Sequence, residues 1–238
     1  NIRLVNQLIE ALGNDASMKH VVFASSTQED KNNAYGRSKR EGHEKLKEWA
    51  EKSNGTLSTL IIPNVFGAFC KPYYNSVIAT FCHQLNHNEN PEIHIDAEIK
   101  YIYVGNLVEK ICKLINSQKI NKQRINIKAD KCIKVSDILS KLSLYKKSYL
   151  ESGVIPKLNY NFGVNLFNTF RSYADYEVLP QELVPNRDNR GFLFEIVKEM
   201  TGGQSFFSLT KPGVIRGNHF HIRKIERFCV VSGDAIIR

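Results

Sequence analysis

Short apolar runs alternate with longer amphipathic segments over residues 1–146, and this alternation constrains the fold more than any other feature. The runs have the length of strands, whereas the segments between them place apolar side chains three and four residues apart, as helices do. The predicted strands are residues 19–25, 56–63, 100–104 and 124–128, and the predicted helices are residues 1–12, 35–53, 75–85, 106–115 and 136–142. Strands that alternate with helices form a parallel sheet covered by helices on both faces. The sequence therefore predicts an α/β fold for this part of the chain.

The pattern changes after residue 146, where the regular alternation stops. Residues 150–168 are rich in Asn and lack periodicity, which is typical of a linker with some helix. From residue 184 onward, short β-like runs are separated by Gly, Asn and Pro, as in a β-sandwich or barrel. We therefore divide the chain into an α/β domain (1–147), a linker (148–183) and a β domain (184–238).

Composition excludes some classes of function. The net charge is +9, but the lysines are spread along the chain and no nucleic-acid-binding motif is present, so we expect no nucleic-acid partner. A solvated Lys-rich surface explains the charge and also suits an anionic substrate such as a sugar nucleotide. No run approaches the length of a membrane-spanning helix, so we expect no membrane partner. Five cysteines without a C-x-x-C pair indicate free thiols and a cytoplasmic location.

The first candidate site consists of Ser26, Tyr35 and Lys39. Tyr35 and Lys39 lie one turn apart on one face of a predicted helix, and an adjacent ammonium stabilises a phenolate. Tyr35 can therefore act as a general acid that protonates an alkoxide as hydride reaches a ketone. Ser26, or its neighbour Thr27, can hold the carbonyl oxygen. The alternative is a solvent-facing pair on an ordinary helix, because this spacing alone is a weak signal.

The context of this pair resembles the extended short-chain dehydrogenase/reductase family of nucleotide-sugar epimerases, dehydratases and reductases. The motifs are "ASST" at residues 24–27, "AYGRSK" at residues 34–39 and "PNVFG" at residues 63–67. The resemblance implies a partial Rossmann-type sheet and catalytic roles for Ser26, Tyr35 and Lys39. It also implies that Tyr35 and Lys39 bind a nicotinamide cofactor, NADPH or NADH.

The same resemblance implies that the UDP-sugar substrate contacts Asn64, Lys71 and Asn75, and that the protein is a homodimer.

Two features depart from the family pattern. The Gly-rich turn that cradles the cofactor pyrophosphate has no counterpart in this chain, so we expect the chain alone to bind NADPH poorly. Asn106 stands where the family has an Asp helix cap, and Asn caps helices equally well.

The second candidate site consists of His219, His221 and Glu226. On a strand, His219 and His221 point to the same side, and Glu226 can come from the next strand. The spacing G-x5-H-x-H-x4-E-x6-G from Gly213 to Gly233 resembles the first cupin motif, which implies a partial β-barrel or jelly roll. Two imidazoles and a carboxylate suit a divalent metal, with zinc as the first choice. The alternative is a polar hairpin with surface histidines.

The stretches "DNRGFLFE" and "SLTKPGVIRGNHFH" resemble the deoxysugar 3,5-epimerases of the rhamnose pathway. That resemblance implies that His219 abstracts a proton and that Arg216 binds substrate. His219 therefore has two candidate roles, metal ligand or base, and both stay open at this point.

Together the two parts resemble the bifunctional capsular-polysaccharide enzymes that form UDP-2-acetamido-2,6-dideoxy-L-talose in the N-acetyl-L-fucosamine pathway. This resemblance implies C3 epimerisation in the cupin and NADPH-dependent C4 reduction in the α/β domain. A C3 proton is acidic only while C4 is a ketone, so epimerisation must precede reduction. The alternatives are a metal-free deoxysugar epimerase and a non-catalytic nucleotide-sugar-binding or assembly module. Without the Gly-rich turn and a second cupin motif, we expect a chain truncated at both ends.

Overall fold

The computed structural model describes residues 2–13, 20–117, 123–178, 182–223 and 225–237. Asn1 and Lys19, which begin two predicted elements, lie outside the described residues. The chain forms two compact units. The first contains the described residues up to 178 together with Glu199–Gly202, and the second contains the described residues 182–198 and those from Gly203 onward.

The first unit contains helices and short strands in alternation. The helices are α1 (Ile2–Leu12), α2 (Ala34–Lys52), α3 (Val77–Asn86), α4 (Val104–Ile115), α5 (Val135–Tyr145) and α6 (Tyr160–Arg171). The strands are β1 (His20–Ser26), β2 (Thr56–Ile62), β3 (Asn64–Phe66), β4 (Glu98–Tyr103), β5 (Gln123–Asn126), β6 (Lys131–Lys134) and β7 (Val154–Ile155). A π-helical turn spans Lys146–Glu151 and a 3-10 turn spans Tyr176–Val178. Within the described ranges, no helix combines the length and the apolar character that crossing a bilayer requires.

A parallel sheet of three strands, in the order β1-β2-β5, organises the first half of this unit. His20 is in register with Thr56, and Ser58 is in register with Gln123. Helices cover both faces of the sheet. Alternate side chains of β2 point to opposite faces, so each set packs against a different helix. On one face Leu57 packs with Leu46 and Trp49 of α2, and on the other face Leu60 packs with Leu107 of α4. The predicted α/β fold with a parallel sheet is therefore confirmed for the first unit.

A second small sheet lies beside the largest core cluster. Strand β3 pairs with β4 in parallel, and β4 pairs with β6 in antiparallel orientation. Helices α3, α5 and α6 contribute buried side chains to this cluster. The sequence assigned residues 148–183 to a linker, but the structure buries Leu166, Phe167 and Phe170 of α6 in the core of the first unit.

Two helix starts differ from the sequence expectation. Helix α4 begins at Val104, so Asn106 lies inside its first turn and is not the cap. The start of α4 is held instead by Asp130, which lies outside the helix. Its Oδ2 accepts hydrogen bonds from Tyr103 N at 2.7 Å and from Asn106 Nδ2 at 2.9 Å. Helix α3 begins at Val77 with Ser76 as its cap, so Asn75 precedes the helix rather than heading it.

The described residues of the second unit contain three strands, β8 (Asn186–Asp188), β9 (Gly191–Glu199, whose last residue belongs to the first unit) and β10 (Gln204–Thr210). Strand β9 pairs in antiparallel orientation with both β8 and β10. After Thr210 the described residues contain no strand, so the predicted strand at His219 and His221 is wrong. A strand needs a paired neighbour for its backbone groups, and none forms in residues 211–223 and 225–237. The described part of this unit does not close a barrel.

Candidate functional site

Ser26, Tyr35 and Lys39 lie at the carboxyl end of the parallel sheet and at the start of the helix that follows. Ser26 is the last residue of β1, and Tyr35 and Lys39 are in the first two turns of α2. The side chain of Asn33 caps α2 by accepting a hydrogen bond from Gly36 N at 2.7 Å. Ligands of open α/β sheets bind outside the carboxyl ends of the strands, which is where this group is placed.

Lys39 is held beside Tyr35. Its Nζ donates a 2.8 Å hydrogen bond to Ala24 O, and it lies 5.5 Å from the centroid of the Tyr35 ring. Burial lowers the pKa of Lys39 from its ordinary value. The Tyr35 side chain is 44% exposed, so the ring is accessible to a ligand. The predicted ammonium–phenol neighbourhood is therefore present.

Ser26 is fixed by the turn that follows β1. Its Oγ accepts a hydrogen bond from Gln28 N at 3.2 Å, which leaves the hydroxyl hydrogen to donate elsewhere. Thr27 is tied to the sheet, since its N donates to Ile62 O at 3.0 Å. In the described part of the chain no hydrogen bond joins Ser26 directly to Tyr35, so the two are placed by the scaffold and not by each other.

Glu29 is a residue of this site that the sequence analysis missed. Its side chain is 2% exposed, it accepts a 2.6 Å hydrogen bond from Ser25 Oγ, and it forms an ion pair with Arg124 of β5. No local signal could have found it, because Glu29 and Arg124 are separated by 95 positions in sequence.

The three residues expected to contact substrate lie on β3 and on the loop after it. Asn64 is in β3, and its Nδ2 reaches Lys100 O at 3.5 Å. Lys71 and Asn75 are exposed on the loop 67–76. Phe69, Tyr73 and Asn75 in this loop have φ of 64°, 58° and 53°, which is uncommon for residues other than Gly. Such backbone conformations concentrate at functional sites, and here they accompany the residues predicted to bind substrate.

The second candidate site brings its three predicted residues together without a strand. His219 Nε2 lies 3.1 Å from His221 Nε2, and His221 Nε2 lies 3.3 Å from Glu226 Oε1. Over the described ranges, however, no three or more His, Cys, Asp or Glu side chains form a group that could hold a metal ion. The predicted donor set is adjacent, but the metal is not supported by this arrangement.

Arg216 lies in the same unit near Asp188. A nitrogen of its guanidinium is 3.8 Å from Asp188 Oδ1, and its buried Nε has no hydrogen-bond partner among the described residues. Hydrogen bonds from Arg190 hold the pKa of Asp188 below its ordinary value, with Arg216 adding to the effect. Arg216, which is expected to bind substrate, therefore has the carboxylate of Asp188 as an anionic neighbour.

Two family profiles match the chain. Residues 1–127 match the NAD dependent epimerase/dehydratase family, and residues 186–238 match the polysaccharide biosynthesis C-terminal domain. A curated relative from Pseudomonas aeruginosa, UDP-2-acetamido-2,6-beta-L-arabino-hexul-4-ose reductase, is 29% identical over 236 residues. That match covers 99% of this chain and 63% of the relative.

Solved structures show the same likeness. The capsular polysaccharide assembling protein CapF from Staphylococcus aureus matches with a TM-score of 0.82 and 31% identity, covering 93% of this chain and 62% of CapF. UDP-glucuronic acid 4-epimerase from Bacillus cereus, solved with NAD, matches with a TM-score of 0.61 and 14% identity, covering 72% of this chain and 64% of that enzyme. This last likeness concerns the fold alone.

The chain spans less than two thirds of the length of both the curated relative and CapF. The predicted resemblance is confirmed at the level of a CapF-like family of epimerases and reductases, whereas the bifunctional activity and the cupin stay predictions. Since the first profile matches more than half of the 238 residues, the chain belongs to the NAD dependent epimerase/dehydratase family.

Proposed function

We propose that this chain is part of an enzyme that modifies a UDP-linked 4-keto-6-deoxy sugar for polysaccharide biosynthesis, with the first unit reducing the C4 ketone. The observation that carries the proposal is the half-buried ammonium of Lys39 beside Tyr35 at the carboxyl end of a parallel sheet. Membership of an NAD-dependent family and the likeness to a UDP-sugar reductase support it.

Each residue of the first site has a role in this reduction. Ser26 orients the substrate by donating a hydrogen bond to the C4 carbonyl oxygen, and Tyr35 gives its proton to that oxygen as the alkoxide forms. The ammonium of Lys39 stabilises the phenolate that remains, which takes a proton back from solvent. A reduced nicotinamide, when bound, supplies the hydride for C4.

Lys39 and Tyr35 fit the nicotinamide end of the cofactor, whereas the Gly-rich turn that would cradle its pyrophosphate has no counterpart in this sequence. Lys39 uses one of its N–H groups on Ala24 O, and an ammonium has three donors, so two remain for the hydroxyls of a cofactor ribose. Lys39 and Tyr35 are the residues that would hold the cofactor here, as NADPH or NADH. Asn64, Lys71 and Asn75 are the proposed contacts of the UDP-sugar.

In the second unit we propose C3 epimerisation by a cupin-like site. His219 removes the C3 proton, the electron pair moves into the C3–C4 bond, and O4 becomes an enolate oxygen. Return of a proton from solvent to the opposite face inverts C3, and His219 gives up the proton that it took to solvent. Arg216 is the proposed substrate-binding residue. Because this chemistry needs the C4 ketone, epimerisation precedes reduction.

A divalent metal, zinc first, is a second candidate role for the same three side chains. The support for this role is the donor set itself, two imidazoles and a carboxylate. In the described residues these side chains are adjacent but form no group that could hold a metal ion. Metal analysis of the full-length gene product tests this role: stoichiometric metal lost in Glu226→Gln supports it, and metal-free protein with full epimerase activity leaves His219 as a base alone.

The reductase proposal is tested by NADPH consumption with a UDP-4-keto-6-deoxy-HexNAc. Tyr35→Phe in the full-length gene product removes the proton donor and should abolish NADPH consumption. Tyr160→Phe changes a tyrosine that is 90% exposed and should leave the rate unchanged. Equal rates in the two variants would contradict the role of Tyr35. Absence of NADPH consumption in folded wild type would favour a non-catalytic binding or assembly module. The cytoplasmic location and the homodimer remain predictions.

A further inference from the structure

Glu29 is a buried carboxylate in a polar turn. Glu29 lies between β1 and α2 and is 2% exposed. Its carboxylate accepts a 2.6 Å hydrogen bond from Ser25 Oγ and forms an ion pair with the guanidinium of Arg124. A charge buried to this extent needs paired and hydrogen-bonded partners to persist. Glu29 has both kinds of partner, one on the strand that ends in Ser26 and one on β5.

The main chain of the same residue is connected to the other half of the site. Glu29 O accepts a hydrogen bond from Arg40, the neighbour of Lys39 on α2. Glu29 N donates to Ser26 O at 3.0 Å. We call Glu29 with Ser25, Arg40 and Arg124 the Glu29 brace. The brace joins the residues next to Ser26 and Lys39 to β5 through a single turn.

We propose that Glu29 is a positioning residue for the ketone reduction, because it sets the placement of Ser26 relative to Tyr35 and Lys39. The inference rests on the proposed function of the first unit. No hydrogen bond between Ser26 and Tyr35 is found in the described residues, so their spacing must come from the segment between them. Glu29 is the residue of that segment whose side chain and main chain contact both sides of the site and β5.

A charged side chain at position 29 is better explained by the need to place the site residues than by a gain in the stability of the fold. Glu29 is buried whereas the Arg124 side chain is 46% exposed, and neither buried nor exposed ion pairs contribute much net stability. An ion pair with an added hydrogen bond does fix direction and distance, which apolar contacts do not. Reaction rates are sensitive to such placement, since a shift of about 1 Å can cost about 100-fold in rate.

The test compares Glu29→Gln, Arg124→Lys and Ser25→Ala with wild type in the full-length gene product. For Glu29→Gln we expect kcat for ketone reduction to fall about 10- to 100-fold, with KM for the sugar within about twofold. The isotope effect with deuterated NADPH should rise, because the hydride step becomes slower than the steps around it. Deuterium exchange at C3 should be unchanged. Ser25→Ala should show a smaller loss of kcat.

Ile138→Val is the control for a loss of stability alone, since Ile138 is fully buried in the core cluster of α3, α5 and α6 and is not a member of the Glu29 brace. Its thermal midpoint should fall while kcat and the isotope effect stay at wild-type values. If Glu29→Gln does not fold, Arg124→Lys and Ser25→Ala decide the question with the same readouts.

The possible failures are distinguishable. Wild-type kcat and isotope effect in the brace variants, alongside an active wild-type enzyme, would overturn the positioning role alone. A wild-type enzyme that does not reduce the ketone would overturn the proposed function, and this inference with it.

Discussion

Gly36 lies directly after Tyr35, and an added methyl group at this position should disturb the candidate site. A Cβ built on Gly36 would lie 2.4 Å from Lys31 O and 2.6 Å from Gln28 O. Both are main-chain oxygens of the turn that contains Glu29, so neither can rotate away. Restoring an ordinary contact of about 3.5 Å requires the first turn of α2 to move by about 1 Å relative to that turn. Tyr35 would move with it.

Gly36→Ala should therefore reduce both stability and activity. Overpacking of this kind costs about 1–3 kcal/mol in the free energy of unfolding. A displacement of about 1 Å at Tyr35 should lower kcat for ketone reduction about 100-fold. The assays are thermal unfolding and NADPH consumption, both in the full-length gene product.

Gly163→Ala provides a control of the same chemical change. Gly163 is in α6, where the nearest atom to an added Cβ is 4.0 Å away. This substitution should raise stability by up to about 1 kcal/mol, because Ala favours helix over Gly, and should leave kcat unchanged. If Gly36→Ala matched Gly163→Ala in both measurements, the tight packing of α2 on the turn after β1 would be refuted.

Two further predictions concern the protonation of Lys39 and the packing of helix α6. Because burial lowers the pKa of Lys39 from 10.5, its ammonium loses its proton as pH rises through that lowered value. As the pH is raised, the rate of ketone reduction should begin to fall before the pH reaches 10.5. A rate that stays constant up to pH 10.5 would contradict the role of Lys39. Leu166→Ala should cost about 2–5 kcal/mol in unfolding free energy, because Leu166 is fully buried in the core of the first unit. A loss below about 0.5 kcal/mol in denaturant unfolding would show that α6 is a linker after all.

The alternation of strands and helices was predictable because each element carries its own periodicity. Leu46, Trp49 and Ala50 of α2 share one face of the helix, and all three are buried. Strands β3 and β6 have only three and four residues, too few for a periodic signal. Helix α6 was obscured by its asparagines, although Leu166 and Phe170, one turn apart, carry its buried face.

The two candidate sites differ in what their sequences could reveal. Tyr35 and Lys39 are four residues apart on a helix, so local geometry brings them together. His219, His221 and Glu226 are also adjacent in the structure, but in a stretch without strands among the described residues, so the geometry assumed for them was wrong. Glu29 depends on Arg124 of another strand, and only the folded sheet brings such residues together.

In the proposed function, two sites act in sequence on one 4-keto sugar. The most direct test is deuterium exchange at C3 of a UDP-4-keto-6-deoxy-HexNAc in D2O, followed by NMR, with the full-length gene product and no NADPH. We expect exchange in wild type and in Tyr35→Phe, and none in His219→Ala. Absence of exchange in a folded wild-type protein, or its loss in Tyr35→Phe, would show that the two sites do not act in this sequence.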